Sequence, residues 1–177
     1  MATTEILFAG FGGQGILSMG KFLAYTGMEE GKNVSWLPSY GPEMRGGTAN
    51  CSVIVSDEEV GSPVVTEPDV LVVMNRPSLD KFEGSIKPGG ILIMDSDMVD
   101  REPVRKDIRI IKVAAQARAE ELGSRTAANM VLLGFLLVET GVVSAEDLLK
   151  VLWDHGKKSF YDINKRALEL ANCVEIQ

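Results

Sequence analysis

The sequence predicts an α/β fold, a single doubly wound, mostly parallel sheet with a helical C-terminal part. Three observations predict it. Short β-branched runs recur through the first two thirds of the chain. A glycine turn follows the first run and opens a helix, which is how a βαβ unit starts. Beyond Ala114 the residues change to helix formers. With 177 residues, 45% of them apolar and 24% charged, the chain has the composition of a globular protein, and one domain over 1–177 is expected.

Taken in order, Glu5–Ala9 is an apolar run ending at glycines, as in a strand buried on both faces. Ile16–Met28 reads as a helix that stops near Gly31. Asn33–Leu37 is a second strand, the Pro- and Gly-rich stretch Pro38–Gly47 a loop, and Cys51–Ser56 a third strand. Asp69–Met74 carries the most β-like core, Val70-Leu71-Val72-Val73, and is placed centrally. Lys87-Pro88-Gly89-Gly90 turns into the strand Ile91–Met94, and Ile108–Val113 adds another. Helices follow at Ala114–Leu122, Thr126–Thr140, Ala145–Trp153 and Phe160–Asn172, with Ser144 capping the third and Asp147 in its first turn. The run Met130–Val138 is apolar on every face, which fits burial within the chain or packing against another subunit.

A formal net charge of −7 argues against a partner that is nucleic acid. No run reaches the roughly 18 apolar residues that span a bilayer, so no membrane is implied, and the start lacks a signal peptide, so the expected location is cytoplasmic. Cys51 and Cys173 stand alone in the sequence; two buried free thiols are expected, and no iron–sulfur or zinc site can be built from them.

Gly10-Phe11-Gly12-Gly13-Gln14-Gly15 satisfies G-x-G-x-x-G between a strand and a helix, a context that suits a phosphate at a helix N-terminus or tight strand–helix packing. A nicotinamide dinucleotide site would also place an acid at the end of the second strand, where this chain has Ser35-Trp36-Leu37-Pro38. The stretch Ser39–Cys51 holds Tyr40, Glu43, Arg45 and Thr48 among Gly41, Pro42, Gly46 and Gly47. Following the second strand, it is expected to share one crevice with the glycine turn at the carboxyl end of the sheet.

Together, Gly-Phe-Gly-Gly-Gln-Gly-Ile and Ser-Tyr-Gly-Pro-Glu-Met-Arg-Gly-Gly-Thr-Ala resemble the γ subunit, or γ domain, of 2-oxoacid:ferredoxin oxidoreductases, over essentially all of the chain and more loosely after Glu120. The resemblance implies a complex that converts a 2-oxoacid, coenzyme A and oxidised ferredoxin to acyl-CoA, carbon dioxide and reduced ferredoxin, using thiamine diphosphate, Mg²⁺ and iron–sulfur clusters. It implies α and β subunits as partners, a ferredoxin-like δ subunit in some complexes, and ferredoxin as an indirect one. Neither a Gly-Asp-Gly with a distant Asn nor a cysteine cluster is present, so this chain alone is expected to bind no cofactor and to be inactive. By the same resemblance Gly12, Gly13, Gln14 and Gly15, with Tyr40, Gly41, Glu43, Arg45, Gly46, Gly47 and Thr48, would face the subunit boundary near coenzyme A. None of them is catalytic. Arg45 would pair with a carboxylate or phosphate through its planar fork, or with Glu43 as a structural ion pair.

2-Oxoglutarate and branched-chain 2-oxoacids are the favoured substrates. A stand-alone nucleotide-binding dehydrogenase and a regulatory binding module are the rival readings. The single histidine, His155, reads as a helix-end residue, and Lys157 and Lys158 as a solvated pair of charges.

Overall fold

A computed structural model describes residues 3–39 and 48–173. In chain order the elements are β1 (Thr3–Phe11), α1 (Ile16–Glu29), β2 (Asn33–Ser39), β3 (Thr48–Ser56), β4 (Val70–Val73), α2 (Arg76–Phe82), β5 (Ile91–Asp95), β6 (Arg109–Val113), α3 (Ala115–Glu121), α4 (Ala128–Thr140), α5 (Ala145–His155) and α6 (Tyr161–Glu169). The strands form one sheet in the order β2-β3-β1-β4-β5-β6. β1, β4, β5 and β6 pair in parallel, whereas β3 runs antiparallel to both β1 and β2.

The alternation of strand residues explains why helices cover both faces. Ile6 and Phe8 of β1, Val70 and Val72 of β4 and Ile93 of β5 point into one core, shared with α1, α3, α4, α5 and α6. Their neighbours Leu7, Leu71, Val73, Leu92 and Met94 point into a second core under α2, with Leu79, Ile86 and Val99. Successive side chains of a strand face opposite sides, so strands in which both sets are apolar must be covered twice. The connections from β1 and β4 leave in opposite directions along the sheet, so the two strands flank a topological switch point.

Two elements go beyond the sequence reading. β3, placed from sequence without a direction, is antiparallel to its neighbours. Only residues 40–47 separate it from β2, fewer than the dozen or so a parallel crossover needs, so the strands pair directly as an antiparallel ribbon. α2, in a stretch assigned no helix from sequence, is capped by Asn75, whose side chain accepts from the Ser78 amide at 2.8 Å, with a proline in its first turn. Seven residues give too little periodicity to stand out, although Asn75 and Pro77 are the start signals that mark it.

Ser144 caps α5 as expected, accepting from the Asp147 amide at 3.1 Å. The all-apolar α4 is buried within the chain: Ala128–Leu137 are all covered, and Val138 is the exposed apolar residue near its end. Both thiols are free, but only one is buried, since Cys173 lies at the surface. Burial pushes the Cys51 thiol up to about 12, which makes it an inert core group. No helix among the described residues is long and apolar enough to cross a membrane.

Candidate functional site at the carboxyl edge of the sheet

Three strand ends at the carboxyl edge are closed by polar side chains that turn back onto the protein's own backbone. After β1, Gln14 accepts from the Phe11 amide through Oε1 at 2.6 Å and donates from Nε2 to the Met74 carbonyl at 3.0 Å, so one carboxamide ties the glycine turn to the end of β4. After β4, Asn75 caps α2 from a fully buried position. After β5, the buried Asp95 accepts from the amides of Asp97 and Ala115 and from the Gln116 side chain. Removal from water holds the Asp95 carboxyl above the ordinary range, against the pull of these donors.

The glycine turn itself is left open. Gly13 and Gly15 have φ of 91° and 78°, the left-handed region that disfavours a side chain. Gly15 also sits directly against the side chain of Asn129, which donates to the Gly15 carbonyl at 3.3 Å, so a Cβ at this position has no room. A Cβ at Gly13 would meet nothing within 4 Å. Among the described residues, the amides of Gly12, Gly13 and Gly15 have no backbone acceptor. No acidic side chain occupies the first turn of α1 to neutralise the positive end of its dipole. The turn and that first helical turn line a cleft of about 340 Å³, closed on the strand side by Ala49 of β3.

The same edge fixes where the second motif attaches. Thr48 opens β3 directly across from Phe11, and Ser39, the last residue of β2, lies across from Asn50. Ser39 and Thr48, on either side of residues 40–47, therefore both lie at the carboxyl edge, beside the glycine turn. Gly12 and Gly13 are exposed, Gln14 and Gly15 half-buried, and Thr48 half-buried. Tyr40, Gly41, Glu43, Arg45, Gly46 and Gly47 lie outside the described residues.

β2 is separated from β1 by β3, about 10 Å at the spacing of sheet strands. In a dinucleotide fold the second strand neighbours the first, which brings its terminal acid to the ribose. Here an acid at the tip of β2 would still stand too far from the glycine turn. Sequence reasoning missed Asn129, the buried amide wedged against Gly15; the signal available was one polar residue opening an otherwise apolar helix.

An open α/β sheet with a glycine turn at its carboxyl edge, and no acid placed for a ribose, sets this domain apart from the dinucleotide binders. The chain belongs to the pyruvate ferredoxin/flavodoxin oxidoreductase family, whose model matches residues 5–172. It is 45% identical over 169 residues to the ketoisovalerate oxidoreductase subunit VorA of Methanothermobacter marburgensis, covering 93% of this chain and 35% of that one. It thus spans about a third of that relative's length. The γ subunit of a keto/oxoacid ferredoxin oxidoreductase from Geobacter sulfurreducens superposes with a TM-score of 0.84 at 31% identity, over 97% of this chain and 99% of that one. A 2-oxoglutarate:ferredoxin oxidoreductase from Magnetococcus marinus, with 2-oxoglutarate, coenzyme A and succinyl-CoA bound, superposes with a TM-score of 0.87 at 27% identity, over 100% of this chain and 32% of that one.

Proposed function

We propose that the chain is the γ subunit of a cytoplasmic 2-oxoacid:ferredoxin oxidoreductase complex that oxidatively decarboxylates 2-oxoglutarate or a branched-chain 2-oxoacid to acyl-CoA, and that it catalyses no step itself. The observation that supports this reading is that Thr48, which follows Glu43 and Arg45 in sequence, lies in register with Phe11 beside Gly12 and Gly13, whose amides have no backbone acceptor among the described residues. Amides at a helix N-terminus and a guanidinium are both suited to the phosphates and carbonyls of coenzyme A. Relatives named for ketoisovalerate and 2-oxoglutarate support the two substrate classes.

Thiamine diphosphate with Mg²⁺ would supply the decarboxylation and iron–sulfur clusters the electron transfer, both held by α, β and, where present, δ subunits. The residues of this chain do not fit either group: it has two cysteines, one of them buried and inert, and no Gly-Asp-Gly motif. Its contribution is to close the chamber and position the acyl acceptor. Affinity purification of the tagged chain from its source tests this directly. Thiamine-binding and iron–sulfur subunits should co-purify in fixed ratio; recovery of the chain alone, with tightly bound NAD(P)H, would replace this reading with a self-sufficient dehydrogenase.

A further inference from the structure

Asn129 is the one polar side chain between Ala127 and Val138, and it is 8% exposed. Burying a carboxamide costs free energy unless its donor and acceptor atoms find partners, and here both ends are used. Oδ1 accepts from the Met130 amide at 2.9 Å, and Nδ2 donates to the Gly15 carbonyl at 3.3 Å. The second bond leaves α4 and reaches the residue from which α1 starts. A leucine at this position would join the apolar core without that desolvation cost, so the turn, not the core, is what the amide serves.

α1 has no capping side chain of its own. Gly15 stands at its N-cap with φ 78° and ψ 24° and offers no side-chain atom. The turn from Phe11 to Gly15 is held at its two ends by carboxamides instead. Gln14 takes the Phe11 amide at the start and ties it to the Met74 carbonyl. Asn129 takes the Gly15 carbonyl at the end, where the Met19 amide also donates at 3.0 Å. The contact is steric as well as polar, since a Cβ built on Gly15 would collide with the Asn129 carboxamide. Between these fixed points Gly12 and Gly13 are exposed, and a Cβ on Gly13 would meet nothing within 4 Å. Glycines have more backbone freedom to lose than other residues, so ordering such a segment before a ligand arrives removes that cost from binding.

We propose that Asn129 is a positioning residue for the acyl acceptor: from the buried helix α4 it fixes the Gly15 end of the glycine turn, so that the turn meets coenzyme A already ordered. It touches no substrate itself, and the assignment rests on the proposed place of the glycine turn beside coenzyme A. Steady-state ferredoxin reduction by the assembled complex tests it, with wild type, Asn129→Asp and Asn129→Ala. Asn129→Asp keeps the size of the side chain and the acceptor for the Met130 amide but sets an oxygen against the Gly15 carbonyl; Asn129→Ala removes the contact altogether. Both should raise KM for coenzyme A at least about fivefold, the scale of one lost hydrogen bond. KM for the 2-oxoacid, and kcat at saturating coenzyme A, should stay within about twofold of wild type. A role confined to stability would lower the melting temperature and leave KM alone, so unchanged KM for coenzyme A in the assembled variants overturns the proposal. A fall in kcat with equal rises in both KM values, or failure of both variants to assemble, overturns it as well. A wild-type complex without coenzyme A-dependent turnover overturns the γ-subunit reading and this proposal with it, whereas a coenzyme A-dependent wild type matched by its variants overturns only the place given to Asn129.

Discussion

Gln14 engages both ends of its carboxamide with backbone, one on each side of the switch point between β1 and β4. By the family resemblance Gln14 is a candidate contact at the subunit boundary near coenzyme A, and within the chain its carboxamide also has a structural task. Only the register of β1 and β4 reveals that the Met74 carbonyl lies within its reach. Gln14→Leu should cost about 1–3 kcal/mol of stability, since it leaves a half-buried amide and carbonyl without partners, and urea unfolding will read that loss. Asp95 gives a pH dependence with a definite sign. Desolvation raises its folded pKa above the ordinary 3.8, so above 3.8 the folded chain holds this proton more tightly than the unfolded chain does. Stability from this group is therefore gained as pH falls through the window just above 3.8, and lost as pH rises through it. Asp107, held low by the Arg105 side chain, has the opposite sign, with stability present above 3.8 and lost on acidification. Unfolding of wild type and Asp95→Asn across this window should show the difference moving in the wild type's favour as pH is lowered. A difference that moves the other way would mean that its donors outweigh desolvation.

At the scale of elements, periodicity and end signals located β1, α1, β4, β5 and the C-terminal helices, because each is long or strongly apolar enough to carry its own pattern. The direction of β3 was not legible in its residues, which look alike in either orientation; it follows from the eight-residue span between Ser39 and Thr48. α2 failed for the opposite reason, having start signals but only seven residues behind them. Within the helical layer, α4 is buried on all sides and its Gly134 lies against the backbone of Leu168 in α6. Gly134→Ala places a methyl group on a main chain that can yield only by moving the helix. A loss of about 1–3 kcal/mol is expected. Hydrogen exchange should quicken first in α6, while amides of β1 and β4 in the centre of the sheet keep their protection.

For the whole molecule, the fold class was legible because two-sided apolar strands demand helices on both faces, and the chain supplies them. The pairing of the two glycine-rich motifs was legible in part. The strands place the anchors Phe11 and Thr48 in register, while Arg45 and Glu43 lie outside the described residues. In the proposed complex, Arg45→Ala should leave assembly intact and weaken turnover or coenzyme A use by about 1.5–3 kcal/mol, the usual worth of a charged hydrogen bond. Unchanged kinetics would reduce Arg45 to a structural partner of Glu43.

The most direct test of the central claim is ferredoxin reduction by the reconstituted subunits, measured with 2-oxoacid and coenzyme A, with and without this chain. The account predicts that the chain alone gives no reduction, and that the remaining subunits regain coenzyme A-dependent turnover when it is added back. Full turnover in its absence, or substrate oxidation by the isolated chain with a redox carrier of its own, would contradict it.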